Sequence, residues 1–237
     1  MDLGIDGKVA LVTAASKGLG RGAALALARE GCHIAICARS EDALAATAAE
    51  LGPETLAITA DVTDPDTPRR LVAETLDRFG ALDILVANAG GPPKARALEL
   101  DDNAIRAAVE ANLLTSVRLV REAAPSMRRA GWGRIVLITS NTIKQPIPDL
   151  VASTIARTGL WGWAKSAAQD LAQDGITLNV VAPGLHATDR VRELGHTGRL
   201  GDPEDFGRVV AFLCSTSAAF VSGAALQVDG AGTLGLL

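Results

Sequence analysis

The sequence predicts an α/β protein: a single doubly wound parallel sheet of about seven strands with helices on both faces. Three observations predict it. Apolar runs of strand length alternate with longer helical patterns from Val9 onward, the form that repeated βαβ units take in sequence. The short runs are continuously apolar instead of alternating, as strands are when helices cover both faces of their sheet. A glycine-rich turn joins the first run directly to a helical pattern. With 237 residues, 48% of them hydrophobic, and no linker-like stretch, the chain is expected to form one domain over residues 1–237.

Taken in order, the strands read Val9–Thr13, His33–Arg39, Thr55–Ala60, Ile84–Asn88, Arg134–Thr139, Thr177–Ala182 and Ala225–Val228. The helices between them read Leu19–Glu30, Glu41–Leu51, Pro65–Phe79, Asp101–Ala130, Leu150–Asp174 and Pro203–Ser215. Asp101 and Asp202 stand where a helix start wants a side-chain acceptor, and Pro65 and Pro203 suit first-turn positions. No internal repeat or low-complexity tract interrupts the pattern. A sheet wound in this way binds ligands at the carboxyl ends of its strands.

Composition narrows the function. The formal net charge is −4, with Lys and Arg scattered among acids, which argues against a nucleic-acid partner. The first residues, MDLGIDGKVALVT, lack a basic-then-apolar leader, and no apolar run reaches bilayer length. The expectation is a cytoplasmic protein without a membrane partner. Cys32, Cys37 and Cys214 are odd in number and lack metal-ligand spacing, so they are read as buried thiols, with no metal site.

The motifs that carry chemistry sit at strand ends. Thr13-Ala14-Ala15-Ser16-Lys17-Gly18-Leu19-Gly20 follows the first strand, where glycines let the backbone approach a pyrophosphate at a helix start. Asp61-Val62 follows the third strand, Asn88-Ala89-Gly90 the fourth, and Pro183-Gly184-Leu185-His186-Ala187-Thr188 the sixth. After the fifth come Ser140 and a helix carrying Ser153 and Arg157. Together, over Gly7 to Gly230, these motifs resemble the short-chain dehydrogenase/reductase family, whose domain is Rossmann-like, and within it the 3-oxoacyl reductases.

The resemblance implies roles residue by residue. The first turn matches the family's Thr-Gly-x-x-x-Gly-x-Gly, with Ala14 in place of the first glycine, a replacement that is tolerable if its φ is negative. Asp61 and Val62 would read the adenine edge. Asn88, Ala89 and Gly90 would support the sheet and line the cofactor. Pro183, Gly184 and His186 belong to the loop that would hold the nicotinamide, with Thr188 toward the pyrophosphate. The second strand ends in Ala38-Arg39 with no acid, and Lys17 lies in the first turn; two cations there favour NADP(H) over NAD.

The reaction site departs from the pattern. The strand-end serine is present as Ser140, but the family's Tyr-x-x-x-Lys positions hold Ser153 and Arg157, and the chain contains no tyrosine. An aliphatic hydroxyl is a far weaker acid than a phenol, and a guanidinium stays protonated at any useful pH. Arg157 with the Ser140 and Ser153 hydroxyls can stabilise a developing oxyanion, but the proton must come from elsewhere. Lys144 beyond Ser140, His186 in the nicotinamide loop, or an entering water are the candidates. Asn112, in Glu110-Ala111-Asn112-Leu113-Leu114, matches the family's relay asparagine; packing at a helix interruption is the other reading.

Asp189 to Leu200 form a short, polar substrate lid with Gly195 and Gly198 to bend it, which suggests an open pocket and a large, carrier-bound or flexible substrate. Trp132, Trp161 and Trp163 read as packing or subunit-contact residues. The family implies a homodimer or homotetramer through the fourth and fifth helices and the C-terminal strand, and the apolar ending Gly230–Leu237 could dock on a neighbour. The leading reading is an NADP(H)-dependent reductase of a small-molecule or carrier-bound carbonyl or conjugated carbonyl. The alternatives are a catalytically silent NADP(H)-binding regulatory or structural protein, and non-redox chemistry with the nucleotide as scaffold.

Overall fold

A computed structural model describes residues 2–196 and 198–235. Seven strands, β1 Val9–Val12, β2 His33–Ala38, β3 Leu56–Thr59, β4 Ile84–Ala87, β5 Gly133–Ile138, β6 Ile176–Pro183 and β7 Ala225–Val228, form one sheet in the order β3-β2-β1-β4-β5-β6-β7. Every pairing is parallel. The helices are α1 Gly18–Arg29, α2 Glu41–Leu51, α3 Thr67–Phe79, α4 Asp102–Val109, α5 Thr115–Ala130, α6 Val151–Leu171, α7 Asp189–Glu193 and α8 Pro203–Cys214.

The continuous apolar runs have the cause their pattern implies. Along β1, Leu11 packs with α3, α5 and α6, whereas its neighbours Ala10 and Val12 face α1, α2 and α8. One face therefore buries Leu71, Leu119, Leu160 and Met127, the other Leu27, Leu44, Phe206 and Val210. Cys32, Cys37 and Cys214 are buried and unpaired, and burial pushes the thiols of Cys32 and Cys37 up to about 12. On the outer face α1 and α8 touch backbone to backbone: a Cβ on Gly207 would lie 2.1 Å from the carbonyl oxygen of Gly22.

Several boundaries differ from the sequence reading. The third helix starts at Thr67 with Pro68 in its first turn, because Asp61 to Asp66 are spent on a turn in which Asp64 accepts from the Asp66 amide. The single helix expected over Asp101–Ala130 is instead α4 and α5 joined by a π-helical segment, Glu110–Leu114. The lid contains the short helix α7, capped by the Thr188 hydroxyl. Asp101 and Asp202 do cap their helices, accepting from the amides of Ala104 and Glu204. Of the C-terminal segment expected at a subunit contact, Leu236 and Leu237 lie outside the described residues. Among the described residues no helix is long and apolar enough to cross a membrane, and no cluster of His, Cys, Asp and Glu could hold a metal ion.

Candidate active site

The strand order reverses between β1 and β4, and their ends are tied together. The Thr13 hydroxyl donates to the Asn88 carbonyl at 2.8 Å and accepts from the Asn88 amide at 2.9 Å. The Asn88 side-chain nitrogen donates to the Ala14 carbonyl at 3.3 Å. That carbonyl points across the turn, where a Cβ on Gly20 would stand 2.4 Å from it. To aim it so, Ala14 adopts φ +47°, which corrects the expectation of a negative angle: the alanine is held in the left-handed region that its lost glycine would occupy freely.

The turn leaves a phosphate-sized opportunity. Gly18 has φ +60°, and the amides of Gly18, Leu19 and Gly20 at the start of α1 take no acceptor among the described residues. Thr188 lies beside them, its methyl 3.3 Å from where a Gly18 Cβ would be. Free amides at a positive helix end beside a hydroxyl fit a dinucleotide diphosphate. Ala15 and Ser16 serve structure, the Ala15 amide donating to Cys37 and the Ser16 carbonyl accepting from Thr47. Gly90 is open, with no atom within 4 Å of a Cβ built on it.

After β3, Asp61 is exposed and Val62 is buried. Asp61 accepts from the amide and hydroxyl of Thr63, which holds its carboxyl below the usual range, and Val62 is buried with its carbonyl taken by Thr115. Both cations read as phosphate ligands face an acid: Lys17 lies 3.2 Å from Asp189, and Arg39 lies 3.9 Å from Asp61. These are exposed pairs, worth about 0–1 kcal/mol each, so a bound phosphate can replace either partner.

In the loop after β6, Gly184 admits the close approach of Asp229, and the Gly184 amide continues the sheet onto Val228. His186 is turned into the core, against Phe206. It is buried, with Nδ1 3.2 Å from the Gly184 carbonyl and its ring edge-on to Phe206, and burial lowers its pKa. Pro183, the last residue of β6, is fully sheeted.

At the end of β5, Ser140 caps a short turn, its hydroxyl accepting from the Thr142 amide at 3.2 Å. Ser153 and Arg157 stand one turn apart on α6, both buried. Nη1 of Arg157 donates to the carbonyls of Ile138 and Thr139, and Nη2 to that of Ala89. Of its five N–H groups, Nε and one on Nη2 remain without an acceptor among the described residues. Burial, and then the charge of Arg190, push its pKa down to about 10, so it stays protonated at neutral pH.

Asn112 lies in the π-helical segment facing α6, beside Leu113, which closes on Gly159. Its amide is buried with neither polar atom partnered among the described residues, in a π-helical segment of the kind frequent at functional sites. Lys144 goes elsewhere: its ammonium sits 4.1 Å from the Trp161 ring centre, a cation–π contact, and not back over Ser140.

The lid is folded down, where an open pocket was expected. Arg190 donates to the Pro92 carbonyl at 2.6 Å, and Lys94 to the Leu194 carbonyl at 3.2 Å, which pins α7 to the loop after β4. Arg190 was missed in sequence. Its only signal was Gly91, whose missing side chain leaves the space that the guanidinium fills, 3.4 Å from a built Cβ.

A parallel sheet with a glycine turn and free helix amides at its switch point defines a dinucleotide-binding domain of the Rossmann type. The family model for short chain dehydrogenases matches residues 8–198. The chain is 34% identical to the 3-oxoacyl-[acyl-carrier-protein] reductase FabG of Escherichia coli (strain K12), over 96% of this chain and 98% of that protein. L-sorbose reductase of Gluconobacter frateurii, solved with NADPH and L-sorbose, superposes with a TM-score of 0.93 at 32% identity, covering 100% of both chains. A 7α-hydroxysteroid dehydrogenase solved with NADH and 7-oxo glycochenodeoxycholic acid gives 0.91 at 30% identity, over 100% of this chain and 98% of that one. The chain belongs to the short-chain dehydrogenase/reductase family.

Proposed function

We propose that the protein is an NADP(H)-dependent reductase that adds hydride to a carbonyl or conjugated carbonyl, 3-oxoacyl-like or another ketone, through an atypical site of Ser140, Ser153 and Arg157. The observation that carries this reading is the buried guanidinium fixed on the two carbonyls that precede Ser140, with Ser153 one turn before it on α6. NADPH, when bound, supplies the hydride. As the carbonyl oxygen gains charge, the Ser140 and Ser153 hydroxyls and the remaining N–H groups of Arg157 hold it in a site of low dielectric. The alkoxide, or the enolate from a conjugated substrate, then takes its proton from water. Lys144 and His186 are turned away from this role, and Asn112, with a free amide, is the residue that would order such a water.

Arg39, the residue after β2, and Lys17, in the first turn, support NADP(H), each with a weak partner to displace. A homodimer or homotetramer is proposed as well: a groove of about 400 Å³ between α6 and the edge strand β7 is lined by Thr158, Trp161, Gly162, Lys165 and Ala225. Light scattering that gives a monomer mass at working concentration would remove that part.

The function is tested by NADPH and NADH binding from nucleotide fluorescence, followed by NADPH consumption against ketones, enones and 3-oxoacyl thioesters. Turnover that Arg157→Ala abolishes, in a variant that still binds NADPH, is the expected result. Tight NADPH binding with no turnover on any substrate returns the silent reading.

A further inference from the structure

Arg157 and Arg190 approach one strand-end loop from two elements. The first donates to Ala89 O from α6 and the second to Pro92 O from α7, three residues further on. Each is close enough for the charge of Arg190 to act on Arg157. Two like charges gathered at a cleft need a counter-charge, and the nearby acids are taken. Asp189 lies 3.2 Å from Lys17 and 3.1 Å from Arg192, and Asp149 lies 3.3 Å from Lys94. Among the described residues only Glu193 approaches Arg190, at 4.0 Å, and no carboxylate pairs with Arg157.

The two guanidiniums are not equivalent. Arg157 is sealed inside with three bonds to backbone, so it can meet only the reacting oxygen. Arg190 gives a single N–H to Pro92, and its side chain is 39% exposed. Its other donors make no hydrogen bond among the described residues, and a guanidinium presents them in the planar fork that suits a carboxylate or phosphate. Gly91 gives the guanidinium its seat, since a Cβ there would lie 3.4 Å from Nε.

We propose that Arg190 is a specificity residue: the substrate is a carbonyl compound carrying its own oxyanionic group, a carboxylate or a phosphate, which Arg190 receives from the lid while the carbonyl lies toward Arg157. This rests on the reductase reading and narrows its substrate. A neutral ketone or a neutral acyl chain leaves the pair of cations uncompensated, and an oxo acid or ketose phosphate completes it.

The test uses matched pairs with the NADPH-loaded protein: 2- and 3-oxo acids against their methyl esters, and ketose phosphates against the free ketoses. Kinetics give kcat/KM for each member, and calorimetry gives its equilibrium binding whether or not it turns over. The charged member of at least one pair is expected to exceed its neutral partner by about tenfold or more, and which pair does so separates carboxylate from phosphate. Arg190→Gln should bring that ratio below about two, mainly through KM, Arg190→Lys should keep part of it, and the exposed, distant Arg208→Gln should leave it unchanged. Charge-selective binding that is lost in Arg190→Gln without turnover would support this site while removing the reductase reading. Equal treatment of charged and neutral members by both measurements, or a ratio that survives in Arg190→Gln, overturns the proposal.

Discussion

Nη1 of Arg157 donates to the carbonyl oxygen of Thr139 at 3.0 Å, so the residue proposed to hold the substrate oxyanion also clamps the strand end that carries Ser140. Arg157 therefore has a structural duty that can be measured without any cofactor. Arg157→Met should strand the carbonyls of Ile138, Thr139 and Ala89 and cost about 2–4 kcal/mol, seen as a lower midpoint in urea unfolding. Arg157→Lys, which can satisfy one or two of the three, should lose less. A midpoint unchanged in Arg157→Met would show that the clamp contributes nothing.

The left-handed Ala14 gives a stabilising substitution. A non-glycine residue at φ +47° carries about 1–2 kcal/mol of strain, part of which glycine returns as unfolded-chain entropy. Ala14→Gly should raise stability by about 0.5–1 kcal/mol, with NADPH affinity kept or improved, because the Ala14 carbonyl keeps its bond to Asn88. Loss of stability in thermal unfolding would mean that the turn adopts another angle.

How far the chain was legible follows from what sets each feature. The seven strands were readable because burial on two faces writes itself as unbroken apolar runs. The break at Glu110–Leu114 was not, since no glycine or proline marks it; the packing of Leu113 against Gly159 on α6 accompanies it, a tertiary contact. The strand-end motifs located the cleft, and the missing tyrosine located its anomaly. Side-chain direction was beyond the sequence: Lys144 is captured by Trp161, His186 by Phe206, and Arg190 enters over Gly91.

Backbone contact between α1 and α8 makes Gly207 irreplaceable. A methyl group there would meet Gly22 O at 2.1 Å and Gly22 C at 2.5 Å, both of them backbone that cannot rotate away. Gly207→Ala should destabilise by roughly 2–3 kcal/mol, lowering Tm by about 5–10 °C. Because α1 also presents the free amides, NADPH affinity should fall with it.

His186 predicts a pH dependence. Burial lowers its pKa in the folded protein, against the Gly184 carbonyl and the charge of Asp202, which raise it. The unfolded chain then binds more protons below the ordinary value of 6.5, so stability is full above that pH and falls as pH drops through the lowered folded value. His186→Gln removes the titration. The difference in Tm between pH 7.5 and about 5 should be smaller in that variant than in the parent, and an equal difference would assign the acid sensitivity to other groups.

The last prediction concerns the missing acid itself. Ser153 is buried one turn before Arg157 on α6, the helix that reaches the end of β5 through the Arg157 clamp. A phenol there beside an ammonium would have its pKa drawn down toward the working range, whereas beside Ser140 alone the present site offers no acid near neutrality. Ser153→Tyr with Arg157→Lys should raise kcat for simple ketones by about tenfold or more, the gain typical of a placed general acid. Either change alone should not, because the phenol needs the ammonium and the ammonium has nothing to activate. A double variant that folds and binds NADPH but gains no rate would mean that positions 153 and 157 do not face the reacting carbonyl, and the oxyanion role of Arg157 would fall with it.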